Sequence, residues 1–411
     1  LPLQEKISKI VWQYNGNGLA FLLVSKTKNE NAIEIPPKLG YYCIDKNKLF
    51  ILDPLTTAQF PKDKIIALKN STQLNISDDG MRIIFQVMPK IKAKSDGESN
   101  VEIWHGDDNH LYVERAPDFS FESKSKTWIW YPYENELFDF MPKETSILLS
   151  GNQKWALSAD SESCGPQFKY DSDKNFYLID LVHRTRDLIL ECHTGHGFYT
   201  SVSPLGNYVA YFKEGNWFTY EAAKKLHQNL TESAEVKFFN ENDDKAGSPD
   251  VYNFAGWSKD DKYLFVFDQY DLWKISSDGR DRIRLTHGRE KQIEFRLLRN
   301  FDKKSAQTFL STELPTIIDL NAPLFFEANQ YDASKKGLFK LDKGNMTAVY
   351  YDSKNISKAI IAEKSNSYLL NVETYEQTPT LLFMKNNTKK FKTIYQSNLQ
   401  QARYFWGRNQ T

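Results

Sequence analysis

The stretch Trp257-Ser258-Lys259-Asp260-Asp261-Lys262-Tyr263-Leu264-Phe265-Val266-Phe267 is followed by Tyr270-Asp271-Leu272-Trp273-Lys274-Ile275, then by Asp278-Gly279 and Leu285-Thr286-His287-Gly288, and it reads as one small antiparallel sheet. The polar cluster Ser258–Asp261 predicts a tight turn, and the aromatic and branched run after it predicts a strand. Period 2 places Tyr263, Phe265 and Phe267 on one face and Leu264 and Val266 on the other. Both faces are apolar, so the strand is expected between two other layers. Asp271–Ile275 is the next strand, and Asp278-Gly279 supplies the hairpin leading to Ile283-Arg284-Leu285.

The same turn-then-strand unit recurs along the chain. Asn15–Gly18 precedes Leu19–Leu22, Ser77–Gly80 precedes Met81–Phe85, Ser150–Gln153 precedes Lys154–Leu157, and Ser203–Gly206 precedes Asn207–Tyr211. Asn321–Pro323 before Leu324–Phe326 and Lys364–Ser367 before Tyr368–Leu370 are weaker copies, which makes seven anchors with that of Trp257. Partner strands follow at Val101–Trp104, Phe176–Ile179, Trp217–Tyr220, Leu338–Leu341 and Leu381–Met384. Self-similarity at roughly 50 to 75 positions is the mark of a repeat architecture. A pair of stacked β-sandwich sheets does not repeat one turn signature in this way. The expected fold is therefore an all-β β-propeller of seven blades, near 10–60, 74–115, 128–191, 198–240, 252–300, 305–350 and 358–405, filling 1–411 as one domain. The long intervals Ser77–Ser150 and Asp261–Pro323 leave room for an eighth. The segment Tyr220–Leu230, with Glu221-Ala222-Ala223-Lys224-Lys225-Leu226, is expected to form a short helix.

Composition narrows the function. The chain carries 27 Phe and 22 Tyr, which suits many short packed strands. No run approaches the roughly 18 apolar residues of a membrane span, and no positively charged n-region with an apolar h-region opens the sequence, which leaves location undecided by the N-terminus. The 53 basic and 53 acidic residues are interspersed, so nucleic acid is not expected as a partner. The basic clusters Lys90–Lys94 and Lys389-Lys390 read as solvated loops. Cys43, Cys164 and Cys192 allow one disulfide at most. Cys192-His193 with His196 offers soft ligands for zinc but no defined fourth, and a turn at Thr194–Gly197 accounts for these residues without a metal. No cofactor is expected.

No G-x-S-x-G elbow occurs, and strand–helix alternation is missing, so no catalytic serine fold and no catalytic residues are expected within these 411 positions. The carboxylate pairs Glu134 and Glu136, and Asp243-Asp244, lie in polar loops where solvated charge is the default. A glycosidase or lyase would need inward carboxylates or metal ligands at the starts of the inner strands, and those positions are mostly apolar.

Val101-Glu102-Ile103-Trp104-His105, Ala255–Asp261, Asp268–Lys274, Glu373–Pro379 and Gln400–Gly407 together resemble the N-terminal propeller of bacterial serine peptidases of the prolyl oligopeptidase and dipeptidyl peptidase IV superfamily. The resemblance runs from about Trp12 to Gly407 and is strongest after Gly256. It implies a C-terminal α/β-hydrolase domain as partner, a peptide substrate filtered by the propeller, and a periplasmic or secreted location. The chain reaches Thr411 before any of that domain, which leaves two expectations: a chain cut at the domain junction, or a stand-alone binding module for a protein or glycan. In the dipeptidyl peptidases, acidic propeller residues hold the substrate amine; Glu134, Glu136 and Glu162 have no matching neighbourhood, and the role is not transferred. For a binding module, Trp128, Trp130, Tyr131 and Tyr133 are candidate stacking residues, with packing between blades as the alternative.

Overall fold

A computed structural model of the chain describes residues 5–25, 35–68, 74–90, 104–105, 125–140, 144–160, 164–165, 173–194, 199–244, 249–298, 312–313, 315–362, 365, 367–385, 388, 390–405 and 407. These form seven antiparallel sheets that follow one another in sequence, the seven blades of a β-propeller. Most sheets are four strands in simple order, for example Thr200–Val202, Tyr208–Lys213, Asn216–Glu221 and Leu226–Asn229 in the fourth. The third gains a short parallel strand, Thr312–Glu313, beside Glu144–Leu149.

Sheets one to four fall in a compact unit of Leu1–Asn229 with Phe301–Thr316, and sheets five to seven in a second, Leu230–Asn300 with Ile317–Thr411. In the first unit, one apolar cluster joins Leu22 and Tyr41 of sheet one to Phe85 and Trp130 of sheet two. Another joins Ile129 to Ile147 and Ile179, and a third joins Leu178 to Val209 and Tyr220. In the second unit Phe265 and Phe267 meet Phe295 and Phe326, and Leu338 meets Leu370 and Val372. Each apolar layer thus lies between consecutive sheets. Burying a large side chain in such a layer contributes about 1.5–3 kcal/mol. Tyr263–Phe267 is flanked by strands on both edges, and all its residues after Tyr263 are buried, as its two apolar faces require.

The repeated turn has one hydrogen-bond design. Ser77, Ser150, Ser203 and Ser258 each donate the backbone N–H to the carbonyl five residues on and accept from the N–H three residues on. In each case the Ser Oγ also accepts the N–H of residue five, at 2.9–3.0 Å. In three of them the hydroxyl donates to the side chain two residues on: Asp79, Asn152 and Asp260. The fourth turn residue is left-handed in every copy: Gly80, Gln153, Gly206 and Asp261. Gln13–Gly16 joins the first two strands of sheet one the same way, without the hydroxyl. In the first unit these turns stand side by side. Gln13 Nε2 donates to Asp78 O at 2.7 Å, Asp78 N to Gln153 Oε1 at 3.0 Å, and Asn152 N to Pro204 O at 2.8 Å.

The structure differs from the sequence expectations at three places. Lys126–Tyr131 pairs with Ile83–Pro89, so Trp128 and Trp130 belong to the second sheet rather than opening the third, which starts at Glu144. Ile293–Leu297 pairs with Leu324–Gln330 and so begins the sixth sheet instead of ending the fifth. In both, a long segment between adjacent strands made chain proximity a poor guide to pairing. Tyr220–Leu230 is a hairpin, not a helix: Lys225 is left-handed at φ 53°, and Leu226–Asn229 pairs with Phe218–Glu221. Strand pairing overrides the weak helical preference of Ala222-Ala223 and their neighbours. Of the expected strand Val101–Trp104 only Trp104 lies within the described residues, where it is outside any strand.

Candidate functional site

Glu134 and Glu136 sit on the hairpin that closes Lys126–Tyr131 against Glu136–Asp139, a turn made possible by left-handed Asn135. Both carboxylates meet Arg184, which stands at φ 60° in the Asp180–Thr185 turn of the next sheet. One guanidinium nitrogen donates to Glu134 Oε2 and the other to Glu136 Oε2. The guanidinium lies over the Tyr131 ring, 4.2 Å from its centre, and the Tyr131 hydroxyl donates to Leu181 O at 2.6 Å. Burial raises the Tyr131 pKa.

Beside this cluster is a cavity of about 530 Å3, lined by Gln59, Trp128, Leu137, Phe138, Asp139 and the two arginines Arg184 and Arg186. Arg186 Nη2 donates to Asp139 Oδ1 at 2.8 Å and its guanidinium covers Phe138. The buried Arg184 Nε–H has no acceptor among the described residues. The cavity therefore presents guanidinium N–H groups and aromatic faces, with its carboxylates engaged. It can hold a polar group by hydrogen bonding. A substrate amine would have to displace a guanidinium from between Glu134 and Glu136, which sets the pair as a lock between two sheets.

A second polar centre, which the sequence shows as Asp268–Trp273 and Thr286–Gly288, lies inside the second unit. Asp268 and Asp271 are fully buried. Asp268 Oδ1 accepts the N–H groups of Tyr270 and Asp271, both at 2.7 Å, and Oδ2 accepts Trp273 Nε1 and Arg289 Nη2, both at 3.0 Å. Asp271 accepts Thr286 Oγ1 at 2.8 Å and Gly288 N, and burial raises its pKa. Every oxygen is occupied by a fixed donor, so these carboxylates hold the loop Thr286–Arg289 onto its sheet.

The remaining sequence candidates are placed as follows. Trp130 and Tyr131 are buried and Tyr133 packs on the first apolar cluster, which makes them packing residues, while Trp128, also buried, lines the cavity beside Arg184. Cys192 is joined to Cys164 by a disulfide, with Cα atoms 5.5 Å apart. His193 is buried edge-on to Phe176 and Tyr211, and burial, helped by the Lys213 charge, lowers its pKa to about 4. His196, Glu162, Lys92 and Lys94 lie outside the described residues, as does Lys389. Among the described residues no three His, Cys, Asp or Glu side chains form a metal-binding group. Asp180 Oδ2 meets His183 Nδ1 at 2.7 Å, but both belong to one turn, whose N–H groups Asp180 Oδ1 caps. Sequence reasoning missed Arg184, because a lone arginine in His183-Arg184-Thr185-Arg186 carries no motif. Among the described residues no helix is long and apolar enough to cross a membrane.

Among solved structures, dipeptidyl peptidase 4 from Porphyromonas gingivalis is similar over 98% of this chain and 54% of its own, at 10% identity and a TM-score of 0.48. The β-propeller domain of the Trilobed protease from Pyrococcus furiosus is similar over 97% of this chain and 98% of its own, at 10% identity and a TM-score of 0.31. Prolyl oligopeptidase B from Galerina marginata is similar over 95% of this chain and 51% of its own, at 10% identity and a TM-score of 0.37. The chain spans about half the length of the first and third of these. No protein-family model matches, and no curated protein matches in sequence.

Proposed function

We propose that this chain is the non-catalytic propeller domain of a serine peptidase of the prolyl oligopeptidase and dipeptidyl peptidase IV type. In this reading a C-terminal α/β-hydrolase domain carries the chemistry, and the propeller caps its active site and admits short peptides. The supporting observation is the ordered set of motifs Ala255–Asp261, Asp268–Lys274 and Glu373–Pro379 on a chain of seven blade-like sheets. Asp268, Asp271 and Trp273 of that set form the buried network of the second unit, so the resemblance rests on residues that build the interior. The disulfide Cys164–Cys192 supports an oxidising compartment, periplasmic or extracellular.

The test is to read the coding sequence past Thr411, express the whole polypeptide, and assay it on chromogenic dipeptides with proline in second position and on blocked proline peptides. A fluorophosphonate-labelled serine in a downstream G-x-S-x-G, with turnover by the whole protein and none by residues 1–411, is the expected result. A stop codon directly after Thr411 would overturn the proposal in favour of an independent binding module.

A further inference from the structure

The tripeptide Asn-X-Ser/Thr occurs seven times in the chain, beginning at Asn70, Asn75, Asn229, Asn345, Asn355, Asn386 and Asn409. It is the acceptor signal for N-linked oligosaccharide in exported proteins, and a sugar chain is tolerated only where the folded protein leaves the asparagine in solvent. The tripeptides at Asn75, Asn229, Asn345 and Asn355 lie within the described residues, and the fold separates them.

Three of these are closed. Asn75 is half-buried in the strand Leu74–Ile76, and its Ser77 is buried, with the hydroxyl donating to Asp79 Oδ1 at 2.6 Å and accepting Arg82 N at 3.0 Å. Asn229 is half-buried at the end of Leu226–Asn229 and leads into buried Leu230 and Thr231. Asn355 has both ends of its amide engaged: Lys336 Nζ donates to Oδ1 at 3.0 Å, and Nδ2 donates to Glu373 Oε1 at 3.2 Å. The Ser357 hydroxyl of the same tripeptide accepts Asn371 Nδ2 at 2.8 Å. A sugar at any of these would push aside packed or bonded groups.

Asn345 is open. The hairpin between Lys336–Asp342 and Asn345–Asp352 turns on Lys343 and Gly344, at φ 49° and 80°, the left-handed pair of a two-residue loop. Asn345 is therefore the first residue of the edge strand of the sixth sheet. Period 2 puts Asn345 and Thr347 on one face and Met346 on the other. Met346 packs on the apolar layer of Phe295 and Phe326, so the opposite face looks to solvent, and both Asn345 and Thr347 are exposed. Among the described residues nothing bonds the Asn345 side-chain amide, and Thr347 Oγ1 makes one long bond, to Lys340 O at 3.4 Å. The acceptor nitrogen and the hydroxyl that marks it thus stand together on an open edge.

We propose that Asn345 is an N-glycosylation site of the exported protein, with a polyprenyl-diphosphate oligosaccharide as the sugar donor. The amide nitrogen bonds to the anomeric carbon, the bond from that carbon to the diphosphate oxygen breaks with its electron pair leaving on the diphosphate, and the amide gives one proton to a base of the transferase. The inference takes the extracellular branch of the compartment reading, which the Cys164–Cys192 disulfide supports, and uses no property of a hydrolase domain.

The experiment secretes the chain from cultured mammalian cells behind a host signal sequence. Peptide N-glycosidase turns a glycosylated Asn into Asp, and mass spectrometry of the digest reads each position by itself, because Asn70, Asn386 and Asn409 begin the same tripeptide. Conversion is expected at Asn345 and not at Asn75, Asn229 or Asn355. Asn345→Gln and Thr347→Ala should each lose that conversion and run further on a gel by the mass of one oligosaccharide, whereas Thr347→Ser should keep it. Both positions are exposed, and circular dichroism checks that each variant is folded. The same digest, left unreduced, reports the disulfide. An unmodified Asn345 in protein whose Cys164–Cys192 bond has formed overturns the proposal and leaves the compartment reading standing; free thiols at both cysteines would strike that reading and the proposal with it. Conversion at Asn75, Asn229 or Asn355 overturns the argument from exposure.

Discussion

Replacing Asp268 with alanine tests whether the buried network of the second unit holds that unit together. The substitution removes the acceptor of four hydrogen bonds, two from backbone N–H groups at 2.7 Å and two from Trp273 and Arg289 at 3.0 Å. A hydrogen bond to a charged acceptor contributes about 1.5–3 kcal/mol, and orphaning one partner of a buried charged pair costs about 3–5 kcal/mol. The Arg289 side chain is 38% exposed and can turn to water, which places its share near the surface-pair value of about 1 kcal/mol or less. Trp273 and the two backbone groups carry the rest, for an expected loss of about 4 kcal/mol in Asp268→Ala. Asp268→Asn keeps an oxygen for the two backbone donors but turns an amide N–H₂ toward Trp273 and Arg289, so its loss should be about half as large. The assay is urea unfolding followed by tryptophan fluorescence and circular dichroism together, since two compact units require a check that the transitions coincide. A loss under about 1 kcal/mol for Asp268→Ala would falsify the argument, because it would mean that water reaches these donors.

Three further outcomes follow from other parts of the chain. Gly206→Ala should cost about 2–4 kcal/mol, because the new Cβ would lie 2.1 Å from Trp155 Cδ1 at φ +85°, whereas Gly16→Ala, at φ +79° with open space around it, should cost about 1 kcal/mol in the same unfolding assay. Cys192→Ser opens a disulfide that spans 28 positions and should lower stability by about 3 kcal/mol; the wild-type melting temperature should fall on adding dithiothreitol while that of the variant stays fixed. His193 has a folded pKa of about 4 against an ordinary 6.5, so the unfolded chain takes up a proton between these values and the folded chain does not. Its contribution is complete above pH 6.5 and is lost as pH falls toward 4, and His193→Phe should flatten the pH dependence of stability across that window; an unchanged slope would place the imidazole in water.

Most blades were legible because the turn that follows the first strand has requirements that are local. A serine that bonds the chain five residues on, a short polar side chain two residues on, and a left-handed fourth residue can all be read from Ser77–Gly80 alone, and most of them from Ser203–Gly206. Asn321–Pro323 and Lys364–Ser367 were weaker in sequence because they lack that combination. Boundaries failed where a long segment intervenes between adjacent strands, as before Lys126 and before Leu324. The hairpin at Lys225 was misread because Ala222 and Ala223 favour helix only when no neighbouring strand competes for the same backbone groups.

The same division between local and distant information explains the acidic pair. Glu134 and Glu136 look like free loop carboxylates in sequence, and their spacing fits an amine clamp as well as it fits solvated charge. What decides between these is Arg184, 50 positions from Glu134 and 48 from Glu136, brought over the Tyr131 ring by the left-handed turn of the following sheet. Nothing in Glu134-Asn135-Glu136 specifies that partner. An acidic pair is available to a ligand only when the adjoining blade supplies no guanidinium, so carboxylates in a propeller of this kind must be read with the turn of the next sheet.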